Sequence, residues 1–326
     1  MNALVSAANA PPATVASLAH KARDYAAASK AANTIRAYRS DWADFTSWAA
    51  AMGVDPLPAF AATVALYLTD RAETLTVATL GRRLATIRAA HKAADLPIPA
   101  GAALDATWAG IRRAHGRPST PKAAMTIDPL RAAIDATPDT LQGLRDRALI
   151  LLGFGGALRR SEICAMELDA KGAGAVRVRV VAGGLEIVLD RSKGDQLGHG
   201  QTVAVARGRN AATCPVRALE AWISAAGIIS GPIFRAVDRW GHVSDQAMTG
   251  QAVANVVKAA AGRAGLDPTD FAGHSLRSGC ATSAAAGGAA APRLMGHLRH
   301  AKYETTAKYV RRAEAFRDNV ATAAGL

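Results

Sequence analysis

The chain has 326 residues, and its 39 Lys and Arg outnumber its 26 Asp and Glu, which gives a formal net charge of +13. Half of the residues are hydrophobic and a fifth are charged, a balance that excludes a disordered tail or a fibrous protein. No uncharged apolar run reaches the roughly 18 residues that a membrane helix needs, and three scattered cysteines do not make a disulfide framework. We therefore expect a cytoplasmic protein without membrane association.

The first part of the chain has the periodicity of a helical domain. Residues 1–13 are small and polar and are expected to be disordered. Apolar and aromatic residues then recur at steps of three and four, as in Ile35, Tyr38 and Trp42. This pattern predicts helices over residues 15–29, 34–52, 59–69, 77–94 and 102–115. Residues 14–115 are therefore predicted to form a compact all-helical domain.

A short polar stretch follows this domain. Residues 116–124 contain two prolines, a glycine and two basic residues. Such a composition is typical of a linker between domains. We therefore place the domain boundary here, with a second domain over residues 125–326.

The second domain mixes helical and strand patterns. Residues 176–181 alternate with a period of two, and Gly183 and Gly184 then mark a hairpin. The predicted strands are 176–181, 185–189 and 201–206, and a polar turn joins the last two. The predicted helices are 140–154, 159–168, 215–226, 249–264, 274–286, 289–298 and 303–316. The fold class is therefore mainly α, with one small antiparallel sheet in an α+β second domain.

The positive charge favours a polyanionic partner, although an Ala- and Arg-rich coding bias explains the composition equally simply. Charge by itself does not choose between DNA, RNA and an acidic membrane. The chain has no concentrated basic tail. A polyanion would therefore be held by the folded domains themselves.

Three basic or acidic residues of the second domain are candidates for chemistry. Arg159 follows the uncharged stretch 148–154, and Glu162 lies one helical turn further on, where it can hold the guanidinium group. Lys193 lies in the predicted turn between two strands, where a flexible ammonium group can reach into a groove. Each residue also has an ordinary interpretation, as a surface ion pair or as a solvated turn lysine.

Four further candidates follow towards the C-terminus. His274 and Arg277 lie three residues apart on one predicted helix face, a spacing that suits a shared phosphate group. Tyr303 and Tyr309 are both possible nucleophiles, or else packing residues. Metal ligand spacing is absent around these residues, which argues against a zinc site.

The order of these candidates along the chain resembles the tyrosine recombinase (phage integrase) family, especially its Cre-like members. Thr34-Ile-Arg-Ala-Tyr-Arg-Ser-Asp-Trp42 is similar to the family's helical core-binding domain, which has a SAM-like fold. Three later segments resemble the two arginine boxes and the tyrosine box of the catalytic domain: Gly156-Ala-Leu-Arg-Arg-Ser-Glu162, Gly273-His-Ser-Leu-Arg-Ser278 and Thr305-Thr-Ala-Lys-Tyr-Val310.

The resemblance implies a site-specific DNA recombinase. Such an enzyme cleaves and rejoins double-stranded DNA through a 3′-phosphotyrosine, with four protomers on two inverted-repeat sites and a Holliday junction between two rounds of strand exchange. It needs no metal, no ATP and no other cofactor, because the covalent intermediate conserves the energy of the phosphodiester. It also implies a location at the bacterial nucleoid or an origin in a phage.

The resemblance also assigns a role to each candidate residue. The implied roles are Tyr309 as nucleophile, Arg159 and Arg277 as clamps on the non-bridging oxygens, Lys193 as general acid for the leaving 5′-oxygen, His274 as an aid to proton transfer, His300 as a hydrogen-bond partner of the phosphate, and Glu162 as the residue that orients the arginines.

The choice of histidine depends on its distance from Tyr309 along the chain, and the choice of DNA-contacting arginines depends on the helices that carry them. His300 lies nine residues before Tyr309, as the family's histidine does, whereas His297 lies twelve before it. The choice of His300 places Arg299 where the family usually has glycine.

The arginines on the second and fourth predicted helices are the candidates for contact with DNA: Arg36, Arg39, Arg82, Arg83 and Arg88.

Other functions remain open from the sequence. A type IB topoisomerase or a telomere resolvase shares the arginine, lysine, histidine and tyrosine chemistry. A catalytically inactive DNA-binding protein could use the same fold. The helical first domain favours a recombinase, and the complete set of candidate residues favours an active enzyme.

Overall fold

A computed structural model describes residues 12–28, 30–118, 120–169, 176–190, 200–314, 321 and 324–325. It divides into two compact units, Met1–Ser119 and Thr120–Leu326. The segment predicted to be disordered, residues 1–13, lies outside the described residues except for its last two, with which the first helix begins. The predicted turn around Lys193 also lies outside them.

The described part of the first unit is helical, as predicted. Its helices are α1 (Pro12–Ala28), α2 (Ala32–Ala51), α3 (Ala61–Ala72), α4 (Val77–Ala93) and α5 (Ala102–His115). Phe45 and Trp48 of α2 lie one turn apart and pack against Tyr67 of α3, with ring centroids 4.9 and 5.3 Å from the tyrosine ring. These aromatic side chains form the centre of the core of this unit.

The second unit contains the remaining helices. They are α6 (Ile127–Asp135), α7 (Leu141–Gly155), α8 (Arg160–Cys164), α9 (Pro215–Ala225), α10 (Gly250–Arg263), α11 (Ser275–Ala286), α12 (Ala291–Leu298) and α13 (Tyr303–Glu314). Helix α6 was not predicted, and Pro129 stands near its start. A proline is tolerated there, since the first N–H groups of a helix have no intrahelical acceptor.

The prediction of one helix over 159–168 is wrong. Helix α8 ends at Cys164, and the chain continues as strand β1 (Met166–Leu168). The reason is tertiary: Met166 and Glu167 pair in parallel with residues 176 and 177 of the next strand. The N–H of Val176 also donates to the carbonyl of Ala165 at 2.8 Å.

The three predicted strands are confirmed, within a larger sheet. The strands are β2 (Val176–Val181), β3 (Gly184–Leu189), β4 (Gln201–Ala206), β5 (Gly231–Pro232), β6 (Arg235–Val237) and β7 (Val243–Ala247). One sheet has the order β4-β3-β2-β1-β5, antiparallel except for β1 and β2, and β6 pairs with β7. Gly184 has a φ of 153°, and a Cβ there would lie 2.1 Å from the carbonyl oxygen of Val205. The hairpin therefore requires this glycine.

The C-terminal part of the predicted linker packs on the second unit. Lys122 Nζ donates to the carbonyl of Thr269 at 2.7 Å, and Ala123 donates its N–H to Asp270 at 2.8 Å. Met125 lies so close to α11 that a Cβ on Gly279 would be 1.9 Å from the Met125 carbonyl oxygen. The boundary of the second unit thus lies before these residues, at Thr120.

Candidate active site

The C-terminal end of helix α7 forms the floor of the site. Residues 148–153 are buried in the core of the second unit, so the helix is fixed along its length. The chain turns sharply after it, and Ala157 has a φ of 45°. The last carbonyl groups of a helix carry partial negative charge and lack intrahelical donors. They therefore suit the cationic side chains that surround them here.

Arg159 and Glu162 form an ion pair at the start of α8. The Arg159 guanidinium donates from Nη1 to Glu162 Oε1 at 2.7 Å, and the Arg159 backbone N–H donates to Oε2 at 2.8 Å. The Glu162 side chain is 5% exposed. This carboxylate therefore binds the guanidinium group of Arg159, as the sequence predicted, and also its backbone N–H.

Arg277 reaches the same place from helix α11. It donates from Nη1 to the carbonyl of Ala157 at 2.6 Å, and from Nη2 to the carbonyl of Leu298. The residue is 2% exposed. Burial, with the positive charges of Arg159 and Arg299, lowers the pKa of Arg277 to about 10. The group still carries its charge at neutral pH, in surroundings that favour an added anion.

Arg299 is a member of the cluster that sequence reasoning missed. Its guanidinium donates from Nη2 to Glu162 Oε2 at 2.8 Å, and to the carbonyls of Gly156 and Ala157 at 3.3 and 3.1 Å. The residue caps helix α12 in the left-handed region, with a φ of 53°. The only signal in the sequence was a cation at a position where the related family usually has glycine.

His300 lies beside Tyr309. Helix α13 carries Thr306 and Tyr309 three residues apart, hence on one face. A hydrogen bond of 2.9 Å joins His300 Nδ1 to Thr306 Oγ1, and the imidazole ring lies 6.3 Å from the Tyr309 ring at an interplanar angle of 17°. The counting argument that selected His300 rather than His297 thus agrees with the geometry.

Two electrostatic effects act on this pair. Burial, followed by the charges of Arg277 and Arg159, lowers the pKa of His300 to about 4. Burial raises the pKa of the Tyr309 hydroxyl, and the nearby Arg277 opposes this rise without overcoming it. Arg277 thus favours the phenolate of Tyr309, but desolvation is the larger effect in the protein without DNA.

The two rejected candidates have other positions. His297, on α12, donates from Nε2 to the carbonyl of Gly155 at 2.9 Å, which satisfies one of the last carbonyls of α7. Tyr303 begins α13 and is 53% exposed. His297 therefore serves the structure of the site, and Tyr303 lies on the surface.

His274 and Lys193 are less closely defined. His274 is exposed at the N-terminal end of α11, and its charge contributes to the lowered pKa of His300. Lys193 lies outside the described residues, between β3 and β4. Gln201, the first residue of β4, lines a cavity of about 380 Å³ together with Arg299 and His300. Strand β4, the next described element after Lys193 in the chain, therefore begins beside Arg299 and His300.

Comparison with known proteins identifies the family. A model described as "Phage integrase family" matches residues 124–315. This chain belongs to the phage integrase family, the tyrosine recombinases.

The sequence is similar to those of known recombinases over most of its length. It is 38% identical to an integrase/recombinase xerD homolog of Selenomonas ruminantium, over 93% of this chain and 88% of that protein. It is 31% identical to the tyrosine recombinase XerD of Xanthomonas axonopodis pv. citri (strain 306), over 86% and 87%. The fold matches the Tn1549 transposon integrase in complex with transposon right end DNA, with a TM-score of 0.59, 14% identity and coverage of 91% and 97%.

The candidate DNA-contacting arginines of this tyrosine recombinase lie in the first unit, in two different environments. Arg36 and Arg39 are exposed on α2, and Arg36 donates to Asn33 Oδ1 at 2.8 Å. Arg88, on α4, is partly exposed, donates to the carbonyl of Pro99 at 3.3 Å and lies 3.8 Å from the exposed Asp105 carboxylate. These three arginines are accessible to a partner.

The other two arginines are held by carboxylates. Arg82 binds Asp41 through two hydrogen bonds of 2.7 and 2.9 Å, with half of its side chain exposed. Arg83, the other candidate on α4, is mostly buried: its side chain is 13% exposed and it binds Asp44 and Tyr67. Two carboxylates face inward from α2 at these positions, so the arginines of α4 neutralise them.

The described ranges contain neither a membrane helix nor a metal centre. No helix there combines the length and apolar character needed to cross a membrane. No group of three or more His, Cys, Asp and Glu side chains there is arranged to hold a metal ion.

Proposed function

We propose that this protein is a site-specific DNA recombinase that cleaves and rejoins DNA through a phosphotyrosine at Tyr309. The observation that carries the proposal is the convergence of Arg159, Arg277 and His300 next to Tyr309. Three guanidinium groups, including Arg299, face one carboxylate, so the cluster holds an excess of positive charge. A phosphodiester bound beside Tyr309 would neutralise part of this excess.

The cleavage step follows from this arrangement. The phenolate oxygen of Tyr309 forms a bond to phosphorus, and the bond between phosphorus and the 5′-oxygen breaks. The phenolic proton passes to His274, and Lys193 supplies a proton to the 5′-oxygen. Arg159 and Arg277 bind the non-bridging oxygens as negative charge grows on them.

Rejoining reverses these bonds with a different strand. A 5′-hydroxyl of the partner duplex attacks the phosphotyrosine, its proton returns to Lys193, and Tyr309 leaves and takes up a proton. Both steps exchange one phosphoester for another, so no external energy source is required. Four protomers on two inverted-repeat sites would perform two such rounds, with a Holliday junction between them.

Double-stranded DNA is the proposed partner of both units. The net charge of +13 supports it, as does the likeness in fold to the Tn1549 integrase, which was solved in complex with transposon right end DNA. In this proposal the first unit is the core-binding domain, with its contacts made mainly to phosphates by Arg36, Arg39 and Arg88. The second unit is the catalytic domain.

A trapped covalent adduct tests the proposal. The Tyr309→Phe variant first selects a bound sequence from a randomised duplex library, and a duplex of that sequence with a nick near the cleavage position is then offered to the wild type. We expect a covalent protein–DNA adduct whose peptide mass maps to Tyr309, and none with Tyr309→Phe.

Three results would contradict the proposal. Binding of the selected duplex without an adduct would indicate an inactive DNA-binding protein. Relaxation of supercoiled plasmid that lacks the selected sequence would indicate a topoisomerase. An adduct mapped to another residue would overturn the assignment of the nucleophile.

A further inference from the structure

We propose that Arg299 is a positioning residue that holds Arg159 and Arg277 in the geometry required to bind the scissile phosphate. The inference rests on the proposed function. Its basis is that the Arg299 guanidinium binds one acceptor of each of the two arginines. No role for this residue followed from the sequence.

The shared acceptors are a carboxylate and a carbonyl. Glu162 accepts from Arg159 through Oε1 and from Arg299 through Oε2, at 2.7 and 2.8 Å. The Ala157 carbonyl accepts from Arg277 at 2.6 Å and from Arg299 at 3.1 Å. Arg299 therefore links the carboxylate that holds Arg159 at the start of α8 to the turn after α7, whose Ala157 carbonyl accepts a hydrogen bond from Arg277 of α11.

The planar fork of arginine is suited to this linkage. Nη2 of Arg299 serves Glu162 and Ala157, while Nη1 serves Gly156. Lysine has a single nitrogen, so it could satisfy the carboxylate or the carbonyls but not all three acceptors in this geometry.

The position of Arg299 is unfavourable apart from these contacts. Its φ of 53° lies in the left-handed region, which glycine adopts without strain and other residues do not. Its side chain is 3% exposed, and its buried Nε has no hydrogen-bond partner among the described residues. It also adds a third positive charge to a cluster with one carboxylate. A residue selected only for stability would be glycine here, so the contacts of the guanidinium group account for its presence.

The test compares Arg299→Gly and Arg299→Lys with a matched control. Arg145→Lys changes another buried arginine of the same unit, which is paired with Asp146 at 2.7 Å and lies outside the cluster. For each full-length variant we would measure the dissociation constant for the nicked duplex, the single-turnover rate of adduct formation and the melting temperature.

We expect Arg299→Gly to bind DNA within about threefold of wild type and to form the adduct about 100-fold more slowly, as for a misplaced catalytic group. Arg299→Lys should recover part of the rate, and guanidinium ion added to Arg299→Gly should recover part of it through the adjoining cavity. Arg145→Lys should form the adduct at the wild-type rate at temperatures where it is folded. A wild-type rate in Arg299→Gly, or a loss that neither lysine nor guanidinium ion relieves, would overturn the inference.

A second readout does not depend on activity. In a crystal structure of Arg299→Gly, the inference predicts that the Glu162 carboxylate rotates away from Arg159 or that the Ala157 carbonyl moves. An unchanged cluster would overturn it. If the wild type forms no adduct with the DNA that it binds, the proposed function fails, while this structural comparison still decides the role of Arg299.

Discussion

His300 and Tyr309 lie with their rings nearly parallel, 6.3 Å apart between centroids and 17° apart in plane. The two residues belong to different elements, the turn after α12 and the middle of α13. Thr306 fixes the relationship, because it binds His300 Nδ1 from the same helix face that carries Tyr309. A movement of α13 would therefore displace the histidine and the tyrosine together.

The first prediction concerns the nucleophile. Tyr309→Phe should abolish adduct formation, by about 10⁴-fold or more, because phenylalanine lacks the attacking oxygen. Binding to the selected duplex should persist. Tyr303→Phe is the matched control, since Tyr303 lies exposed on the same helix, and it should form the adduct at the wild-type rate. Peptide mass mapping of the adduct checks the assignment, and a covalent link to Tyr303 would disprove it.

The second prediction separates the two histidines. His300→Ala should slow adduct formation by about 10²- to 10³-fold, because it removes a hydrogen-bonding group next to the reacting tyrosine. His297→Ala should instead lower the free energy of unfolding by about 1 kcal/mol, since it leaves the Gly155 carbonyl without this donor. Single-turnover cleavage and denaturant unfolding measure the two effects. A slow His297→Ala with a normal His300→Ala would reverse the assignment.

The third prediction is a pH dependence of stability. In the folded protein the pKa of His300 is lowered to about 4 from its ordinary value of 6.5, by burial first and by the arginines next. Between these pH values the unfolded chain binds more protons than the folded protein, so folding stability falls as the pH falls. The contribution of neutral His300 is complete above about pH 6.5 and is lost as the pH approaches 4.

His300→Gln tests this dependence, because glutamine does not titrate. The melting temperature of wild type relative to His300→Gln, measured from pH 7.5 downwards, should fall as the medium becomes acidic. Parallel curves for the two proteins would show that His300 is not held neutral by its surroundings.

The fourth prediction concerns the salt dependence of DNA binding. The logarithm of affinity should fall linearly with the logarithm of salt concentration, by roughly 0.9 per phosphate neutralised. Arg36→Ala with Arg39→Ala should reduce this slope by up to about 2, because both side chains are exposed. An unchanged slope would place these two arginines away from the DNA.

Arg83→Ala serves as the contrasting variant. It should leave the slope almost unchanged and destabilise the first unit by about 2 kcal/mol, since it removes a mostly buried partner of Asp44. Thermal unfolding would measure the second effect. A slope reduced as much as in the double variant would show that Arg83 reaches the DNA.

Local sequence patterns were sufficient to predict most of the helices and the three longest strands of the sheet. The periodicity of α2 to α5 and the alternation in β2 are properties of neighbouring residues, so they are visible without a structure. Strands β1, β5, β6 and β7 and helix α6 were not predicted. Strand β1 exists because residues 176 and 177 lie beside it, and α6 is held by its buried Leu130, Ala133 and Ile134. Pairing between distant residues decided the first, and packing decided the second.

For the candidate site too, some features could be predicted from the sequence and others could not. The order of Arg159, His274, Arg277, His300 and Tyr309 along the chain was enough to indicate the family, because the spacing of reactive groups is written in the sequence. The sequence did not show whether the pKa of Tyr309 is raised or lowered. That shift depends on how far burial removes water from the hydroxyl and on how near Arg277 lies.

The sequence by itself determined the family, the domain order and the identity of most candidate residues. Only the tertiary structure decided which charges meet. Arg83 and Arg299 are 216 residues apart, and each is an ordinary arginine in the sequence. Folding places Arg83 against Asp44 in the first unit, and Arg299 against Glu162 in the second. A guanidinium group acquires its role from the acceptors around it, and those acceptors come from distant parts of the chain.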